Sequence, residues 1–333
     1  MDAPSFWWRD RSLVAKLLAP FAAIYGAVAA RRLALRSEDA GIPVLCVGNL
    51  TLGGAGKTPA AMAIAQTLMV EGARPFFLTR GYGGQLAGPV RVEPAHHGAS
   101  DVGDEALLLA RIAPVIVARD RVAGAKMARE AGASIVVMDD GFQNPSLVKD
   151  LSLLVVDARR GIGNGCVFPA GPLRAPLDAQ LGRAQGLVVI GKGTGAAALV
   201  DLARARGLAI FGGRLDPDPA AIASISGRKV LAFAGIGDPE KFFATLAAAG
   251  IDVPARRSFA DHHRYTAAEA EALIGEAGRQ GLTLVTTEKD RARMAGDAAL
   301  GALCEHSQAL PVALAVNDEA RFRDFVRKVL KTR

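Results

Sequence analysis

VLCVGNLTLGGAGKT, residues 44–58, decides how the rest of the chain is read. Residues 44–47 have the composition of a buried strand, the next nine residues are rich in glycine, and an apolar helix is expected from Lys57 to residue 70. Glycines let main-chain N–H groups turn toward a phosphate without a Cβ in the way. The helix N-terminus adds partial positive charge. In such a loop Lys57 reaches the β- and γ-phosphates and the Thr58 hydroxyl binds Mg²⁺. The strict pattern G-x-x-x-x-G-K-[ST] asks for glycine where this chain has Thr51, but Gly53 and Gly54 keep the loop glycine-rich. A nucleotide site over Thr51, Leu52, Gly53, Gly54, Ala55, Gly56, Lys57 and Thr58 follows. A plain strand–helix turn with a chance lysine explains neither the strand before the loop nor the apolar helix after it.

The surrounding chain of 333 residues has room for one large or two modest domains. Half of it is apolar and only 5 % aromatic, with abundant alanine and glycine, which favours closely packed α/β layers. A formal charge of +7 and a pI near 9.6 suit an anionic partner such as a nucleotide, a phospholipid or a phosphorylated substrate. Basic residues form no block and do not interleave with aromatics, so no nucleic-acid partner is expected, and no obligate protein partner is evident. Cys46, Cys166 and Cys304 lie far apart, without zinc spacing or a disulfide framework, as in a reducing compartment.

Apolar runs at 75–79, 115–118, 134–138, 151–156 and 186–190 are further strands of an α/β fold. The run at 134–138 ends in Asp139-Asp140-Gly141-Phe142-Gln143. An apolar strand ending in aspartate is what P-loop proteins use to hold Mg²⁺, directly or through water; the plainer alternative is a turn cap. Arg80-Gly81-Tyr82-Gly83-Gly84 is either an ordinary loop or a substrate loop. Asp104, in Asp101-Val102-Gly103-Asp104-Glu105, is either a helix cap or a general base. Residues 159–174 are too irregular for a helix or strand and long for a loop without a function. DPDPAA at 216–221 has the composition of a linker. A second α/β unit follows, with strands at 230–234 and 282–286 and helices at 240–249 and 266–279. Its loop SFADHHRY, 258–265, carries Asp261, His262 and His263, which point to metal or acid–base work without a partner at metal-ligand spacing. A charged amphipathic helix ends the chain. The expected domains are 1–36, 37–215 and 222–333, with the last helix able to pack back on the P-loop domain.

The first 36 residues carry six Lys/Arg against two Asp. Trp7 and Trp8, the only tryptophans, stand beside Arg9 and Arg11. Val14, Leu17, Leu18, Phe21, Ile24, Tyr25 and Val28 then fall at helical spacing. The apolar run at 17–30 is short for a bilayer span of roughly 20 residues. A helix on the membrane surface, or dipping into one leaflet, accounts for the tryptophans, arginines and apolar stripe. A core helix and a signal peptide are the alternatives; the latter, with Ala27-Val28-Ala29 as its cleavage site, would separate the P-loop from cytosolic ATP.

VGNLTLGGAGKTP, TRGYGG, DVGDE, MDDGFQ, FPAGPLR and FADHHRYT occur in this order. With them the chain resembles the tetraacyldisaccharide 4′-kinases of lipid A synthesis, from the N-terminal helix to about Asp290. The resemblance implies ATP- and Mg²⁺-dependent phosphorylation of the 4′-hydroxyl of a tetraacylated glucosamine disaccharide 1-phosphate. It implies a peripheral or monotopic enzyme at the cytoplasmic face of the bacterial inner membrane, bound through its N-terminal helix. The fold it implies is a P-loop NTPase-like α/β/α sandwich with a second, smaller α/β/α domain, the two meeting around the active site. By the resemblance Lys57 and Thr58 are the phosphate lysine and the Mg²⁺ hydroxyl. Asp139, Asp140 and Gln143 form the metal group, Arg174 contacts phosphate, and Asp104 is the base, tuned by His262. Arg80, Tyr82 and Gly83 belong to the lipid-sugar surface. The family often has a glutamate after the arginine of PLR, able to help bind Mg²⁺; here that position is Ala175. The rival reading is a membrane-recruited P-loop ATPase of assembly or partitioning type. Its signature lysine before the glycine pair is replaced by Leu52.

Overall fold

Every residue of β1 (Val44–Asn49) is buried, which suits an apolar strand with neighbours on both edges and helices on both faces. The structure, a computed structural model, describes residues 4–9 and 12–332. β1 is followed by β2 (Pro75–Thr79), β3 (Val90–Arg91), β4 (Val115–Val117), β5 (Ile135–Asp139), β6 (Leu151–Asp157), β7 (Gly186–Ile190) and β8 (Ala209–Pro217). The chain then builds a second sheet from β9 (Lys229–Ala234), β10 (Asp252–Ser258), β11 (Thr283–Thr287) and β12 (Ser307–Leu310), and returns as β13 (Val312–Val316). The large sheet has the order β13-β8-β7-β6-β1-β5-β2-β4-β3, parallel except where β13 meets β8 and β3 meets β4. The small sheet, β10-β9-β11-β12, is parallel throughout.

Both sheets are sandwiched, and strand alternation assigns their faces. Leu45 and Val47 share a core with Ala61, Ile64 and Leu68 of the P-loop helix (Lys57–Val70), while Val44 and Cys46 join Ala125, Ala128 and Leu181. In the small lobe Leu231 and Phe233 pack with Leu273 and Ala277; Val230 and Ala232 pack with Phe243 and Leu246. The architecture is therefore the expected pair of α/β/α sandwiches.

Three expectations are corrected. Residues 216–221 are not a loose linker: Asp216 and Pro217 end β8, and Asp218 caps the helix Pro219–Ile225 by accepting from Ala221 N at 2.7 Å. Residues 312–316, expected in the second domain, join the large sheet as β13, and the last helix lies on the same lobe, the packing the sequence left open. There β13 covers the edge of β8, and Phe322 and Phe325 pack on Phe211 with ring centroids 5.2 and 5.1 Å apart. Trp7 is not free for a membrane. It is buried, with Nε1 donating to Pro169 O at 3.1 Å. Arg11 lies outside the described residues.

The N-terminal helix (Leu13–Leu33) packs with the opposite polarity to a core helix. Its small residues Ala15, Ala22 and Gly26 are buried, whereas Leu17, Phe21, Ile24 and Val28 are 63 to 77 % exposed. It is apolar and long enough to cross a membrane, with only 17 % of its most apolar window buried. The core-helix alternative therefore fails.

β1 also carries a tight contact that places the Asp139–Gln143 turn. A Cβ on Gly48 would lie 2.3 Å from Cβ of Phe142, a fully packed side chain. Gly48→Ala should destabilise the protein by about 1–3 kcal/mol through overpacking. Urea unfolding should show a lower midpoint at unchanged slope; an unchanged midpoint would mean that the turn yields freely.

Candidate active site

The loop after β1 is held from beneath and from the side. Asn49, fully buried, donates through Nδ2 to Thr51 O at 2.7 Å and Gly53 O at 3.1 Å. The FPAGPLR segment supplies the lateral clamp: Leu52 N donates to Pro172 O at 2.8 Å, and Arg174 N to Leu50 O at 2.9 Å. Gly53 (φ 101°) and Gly56 (φ 90°) take left-handed conformations that a side chain disfavours, and the helix starts at Lys57. Ala55 is buried beneath the loop, Gly54 lies on its exposed side, and Lys57 and Thr58 are buried.

β5 delivers its aspartates beside this loop. Thr58 Oγ1 lies 3.1 Å from Asp139 Oδ2. Asp140, at φ 52°, turns away from the strand. It faces Lys57 Nζ at 3.7 Å and receives both ends of the Arg174 guanidinium, at 2.8 and 3.2 Å. Arg174 Nε also donates to Thr51 O at 3.0 Å. The Gln143 amide donates to Asn49 O at 2.8 Å and Gln180 Oε1 at 3.0 Å, and its Oε1 accepts from Arg174 at 3.4 Å. Ala175 is buried and its carbonyl accepts from Gln180 Nε2 at 2.7 Å.

The TRGYGG and DVGDE motifs interlock, which explains Gly84 and Gly103. A Cβ on Gly84 would lie 2.5 Å from Asp101 O, and one on Gly103 (φ 86°) would lie 2.4 Å from Tyr82 O. Asp104 opens the helix Asp104–Leu109 at 3 % exposure, its Oδ1 accepting from Glu105 N at 3.0 Å. The small lobe meets it here. His262 Nδ1 lies 3.7 Å from Asp104 Oδ1, and Nε and Nη2 of Arg293 both lie 2.7 Å from Oδ2. Lys289 Nζ is 2.6 Å from Glu105. Tyr82 edges onto His262 with ring centroids 4.8 Å apart, and Gly83 O accepts from Arg264 at 3.1 Å. Arg80 is exposed. His263 points elsewhere, to Glu269 at 3.0 Å and stacked on Phe259, so His262 is the histidine at the junction. It is also, with Asp140, one of two non-glycine residues at positive φ among those described.

Charge follows this geometry. Burial alone would raise Asp104, but His262, Arg293 and Lys289 hold it well below the usual carboxylate range. Burial also works against Asp140, which Lys57 and Arg174 nevertheless bring down to about 2. Asp139 goes the other way: burial, then the Glu105 and Asp140 carboxylates, raise it. Its Oδ1 is buried without a hydrogen-bond partner. A buried carboxylate raised by like charges, with one free oxygen beside a threonine hydroxyl, fits a hard divalent cation such as Mg²⁺. Among the described residues no three His, Cys, Asp or Glu side chains form a complete metal cage. Mg²⁺ characteristically takes few protein ligands together with phosphate oxygens.

A family model described as LpxK, tetraacyldisaccharide-1-P 4′-kinase, matches residues 14–331. The chain belongs to this family. A tetraacyldisaccharide 4′-kinase of Methylobacterium sp. (strain 4-46) is 57 % identical over 334 residues, covering 100 % of this chain and 99 % of the relative. One from Rhodopseudomonas palustris (strain BisB5) is 54 % identical over 326 residues, covering 98 and 96 %. The crystal structure of LpxK from Aquifex aeolicus in complex with ATP matches with a TM-score of 0.72 at 26 % identity, over 96 % of this chain and 100 % of that one.

For this tetraacyldisaccharide-1-P 4′-kinase family member, the structure adds Asn49, Glu105, Lys289 and Arg293 to the site read from sequence. Asn49 precedes a glycine-rich loop, which is a usable signal. Lys289 and Arg293 sit at i, i+4 on the helix Glu288–Met294, indistinguishable in sequence from a solvated face.

Asp104 provides a pH test. Its depressed ionisation contributes stability that is present above the ordinary value of 3.8 and is lost as pH falls toward the folded-state value. Asp104→Asn should lower stability by about 3 kcal/mol at pH 7, with the deficit shrinking below pH 4. Thermal melts across that range check this; a deficit independent of pH would show that the ion pairs do not stabilise the fold.

Proposed function

We infer that the chain transfers the γ-phosphoryl group of ATP to the 4′-hydroxyl of a tetraacylated glucosamine disaccharide 1-phosphate. The observation that carries this is Asp104, a buried carboxylate kept ionised where the two lobes meet. A nucleotide hydrolase of assembly or partitioning type has no need of such a group, because it has no sugar hydroxyl to orient. Lys289 ties the two halves of the site electrostatically, acting on Asp104, Glu105 and Asp139 at once. A Cβ on Gly237 of the small lobe would lie only 3.3 Å from Gly54 N.

In this reading the P-loop amides and Lys57 hold the β- and γ-phosphates, and Arg174 stands ready beside them. Thr58 and the free oxygen of Asp139 would hold Mg²⁺, which offsets charge on the phosphate oxygens when bound. Asp140 keeps Lys57 and Arg174 together. Asp104 accepts a hydrogen bond from the 4′-hydroxyl and points its oxygen at the γ-phosphorus. As the new O–P bond forms and the β–γ bridge breaks, the hydroxyl proton passes to the Asp104–His262 pair and ADP leaves. Arg80, Tyr82 and Gly83 form the face that the sugar meets. Gln143 acts through Asn49 and Arg174 rather than by binding the metal.

The N-terminal helix lies on the cytoplasmic face of the inner membrane, docked on the protein by its small residues and immersed by its large ones. Its length, about 30 Å for 21 residues, runs along the surface, since its other side is occupied by the protein. Arg31 and Arg32 in its last turn suit anionic headgroups.

The direct test is transfer of labelled γ-phosphate to tetraacyldisaccharide 1-phosphate in mixed micelles. Acceptor-dependent labelling is expected, and Lys57→Ala and Asp139→Ala should each reduce it by about 100-fold or more. ATP hydrolysis without labelled lipid would sink the assignment. Separately, changing Leu17, Phe21 and Ile24 together to glutamate should move the protein from sedimenting phosphatidylglycerol vesicles into the supernatant. Unaltered sedimentation would remove the helix from the membrane.

A further inference from the structure

Asp104 and His262 come from different lobes, and Arg293 links Asp104 to the turn that carries His262. Nε and Nη2 of Arg293 lie 2.7 Å from Asp104 Oδ2, and its Nη1 donates to Gly235 O at 2.7 Å. That same carbonyl accepts from the main-chain N–H of His262 at 3.1 Å. One guanidinium plane thus joins the carboxylate to the turn that carries the imidazole.

Arg293 is itself immobilised. Nη1 also donates to Asp290 Oδ1 at 2.9 Å. Asp290 is fully buried and accepts from Gly235 N at 3.0 Å, from the Tyr265 hydroxyl at 2.9 Å and from the Thr287 hydroxyl at 2.6 Å. The Arg293 side chain is 8 % exposed, unlike the surface pair Arg111–Glu288, whose arginine is 57 % exposed. A rigid fork of donors can hold three acceptors in fixed directions, which a lysine ammonium on a flexible stem cannot.

We propose that Arg293, held by Asp290, is the positioning residue that fixes Asp104 against His262 across the lobe junction. The inference rests on the reading of Asp104 as the group that orients the acceptor hydroxyl. Arg293 touches neither the nucleotide loop nor the Asp139 site, so its effect should fall on turnover and not on ATP binding.

The test is steady-state kinetics of the full-length enzyme with ATP and micellar acceptor, on Arg293→Gln, Arg293→Lys, Asp104→Asn and Arg293→Gln with Asp104→Asn. Arg293→Gln should lower kcat by about 100-fold, the penalty of misplacing a reacting group by roughly 1 Å. The KM for ATP should stay within about twofold, and Arg293→Lys should recover only part of kcat. In the Asp104→Asn background the same change should cost less than about twofold, because groups acting as one unit are non-additive. Equal losses in both backgrounds, or a kcat for Arg293→Gln within about threefold of the parent, would overturn the proposal. Normal transfer by Asp104→Asn would overturn the reading of Asp104 itself, and this inference with it. If Arg293→Gln does not fold, Arg293→Lys decides: an unchanged kcat refutes the role, and a loss that vanishes in the Asp104→Asn background supports it.

Discussion

Asp104, Asp139 and Asp290 are each at most 3 % exposed, and a buried carboxylate stays ionised only where cations or donors face it. The chain meets that requirement at Asp290 and Asp104 and not at Asp139. Asp290 is satisfied inside the small lobe by two hydroxyls, a main-chain amide and Arg293. Asp104 finds only the Glu105 amide in its own lobe, at 3.0 Å; its charged partners cross from the other side. Asp139 keeps one oxygen without a partner. Ion pairs and hydrogen bonds thus cross the junction between the lobes at the site. Arg264 on Gly83 O and Lys241 on Asp157, at 3.1 and 2.9 Å, extend the same polar seam.

The charge state of Asp104 bears on what kind of base it is. A carboxylate held below the ordinary range is a weak proton acceptor in the ground state. Phosphoryl transfer tolerates that, because in a loose transition state the attacking hydroxyl becomes acidic only as its bond to phosphorus forms. In the proposed transfer Asp104 would then serve chiefly as an orienting acceptor of the sugar hydroxyl. A site built this way keeps its hydroxyl acceptor ionised across the neutral range instead of poising it at the edge of titration.

Much of the large lobe was legible because phosphate chemistry imposes short contiguous motifs. β1, the glycine loop and the strand ending at Asp139 are each visible within a dozen residues. The strands that escaped notice lack such patterns. β10, DVPARRS, is an edge strand with most positions exposed. β8 gives no alternation and ends in an aspartate–proline pair, and β13 is defined by a partner far back in the chain. In the site the limit was similar. Arg293 and Lys289 lie on an ordinary charged helix, and only the meeting of two sheets turns that face inward. The N-terminal helix was legible in its periodicity and, on the membrane-surface reading, in the outward aim of its apolar stripe; that Ala15, Ala22 and Gly26 dock it on the protein was not.

β13 joins the large sheet with Val312 opposite Pro217, the residue at which β8 ends. The chain leaves and re-enters at one spot, where Asp218 N donates to Pro311 O at 2.9 Å. In topological terms the entire small lobe stands in the place of a hairpin turn. A short reverse turn joining Pro217 to Val312 would leave the order of the large sheet untouched, with β1, the nucleotide loop and the Asp139 strand all in place. What such a hairpin would take away is Lys289, Arg293 and His262. The nucleotide-holding half of the molecule is continuous without the insertion, and the insertion supplies the partners that keep Asp104 charged.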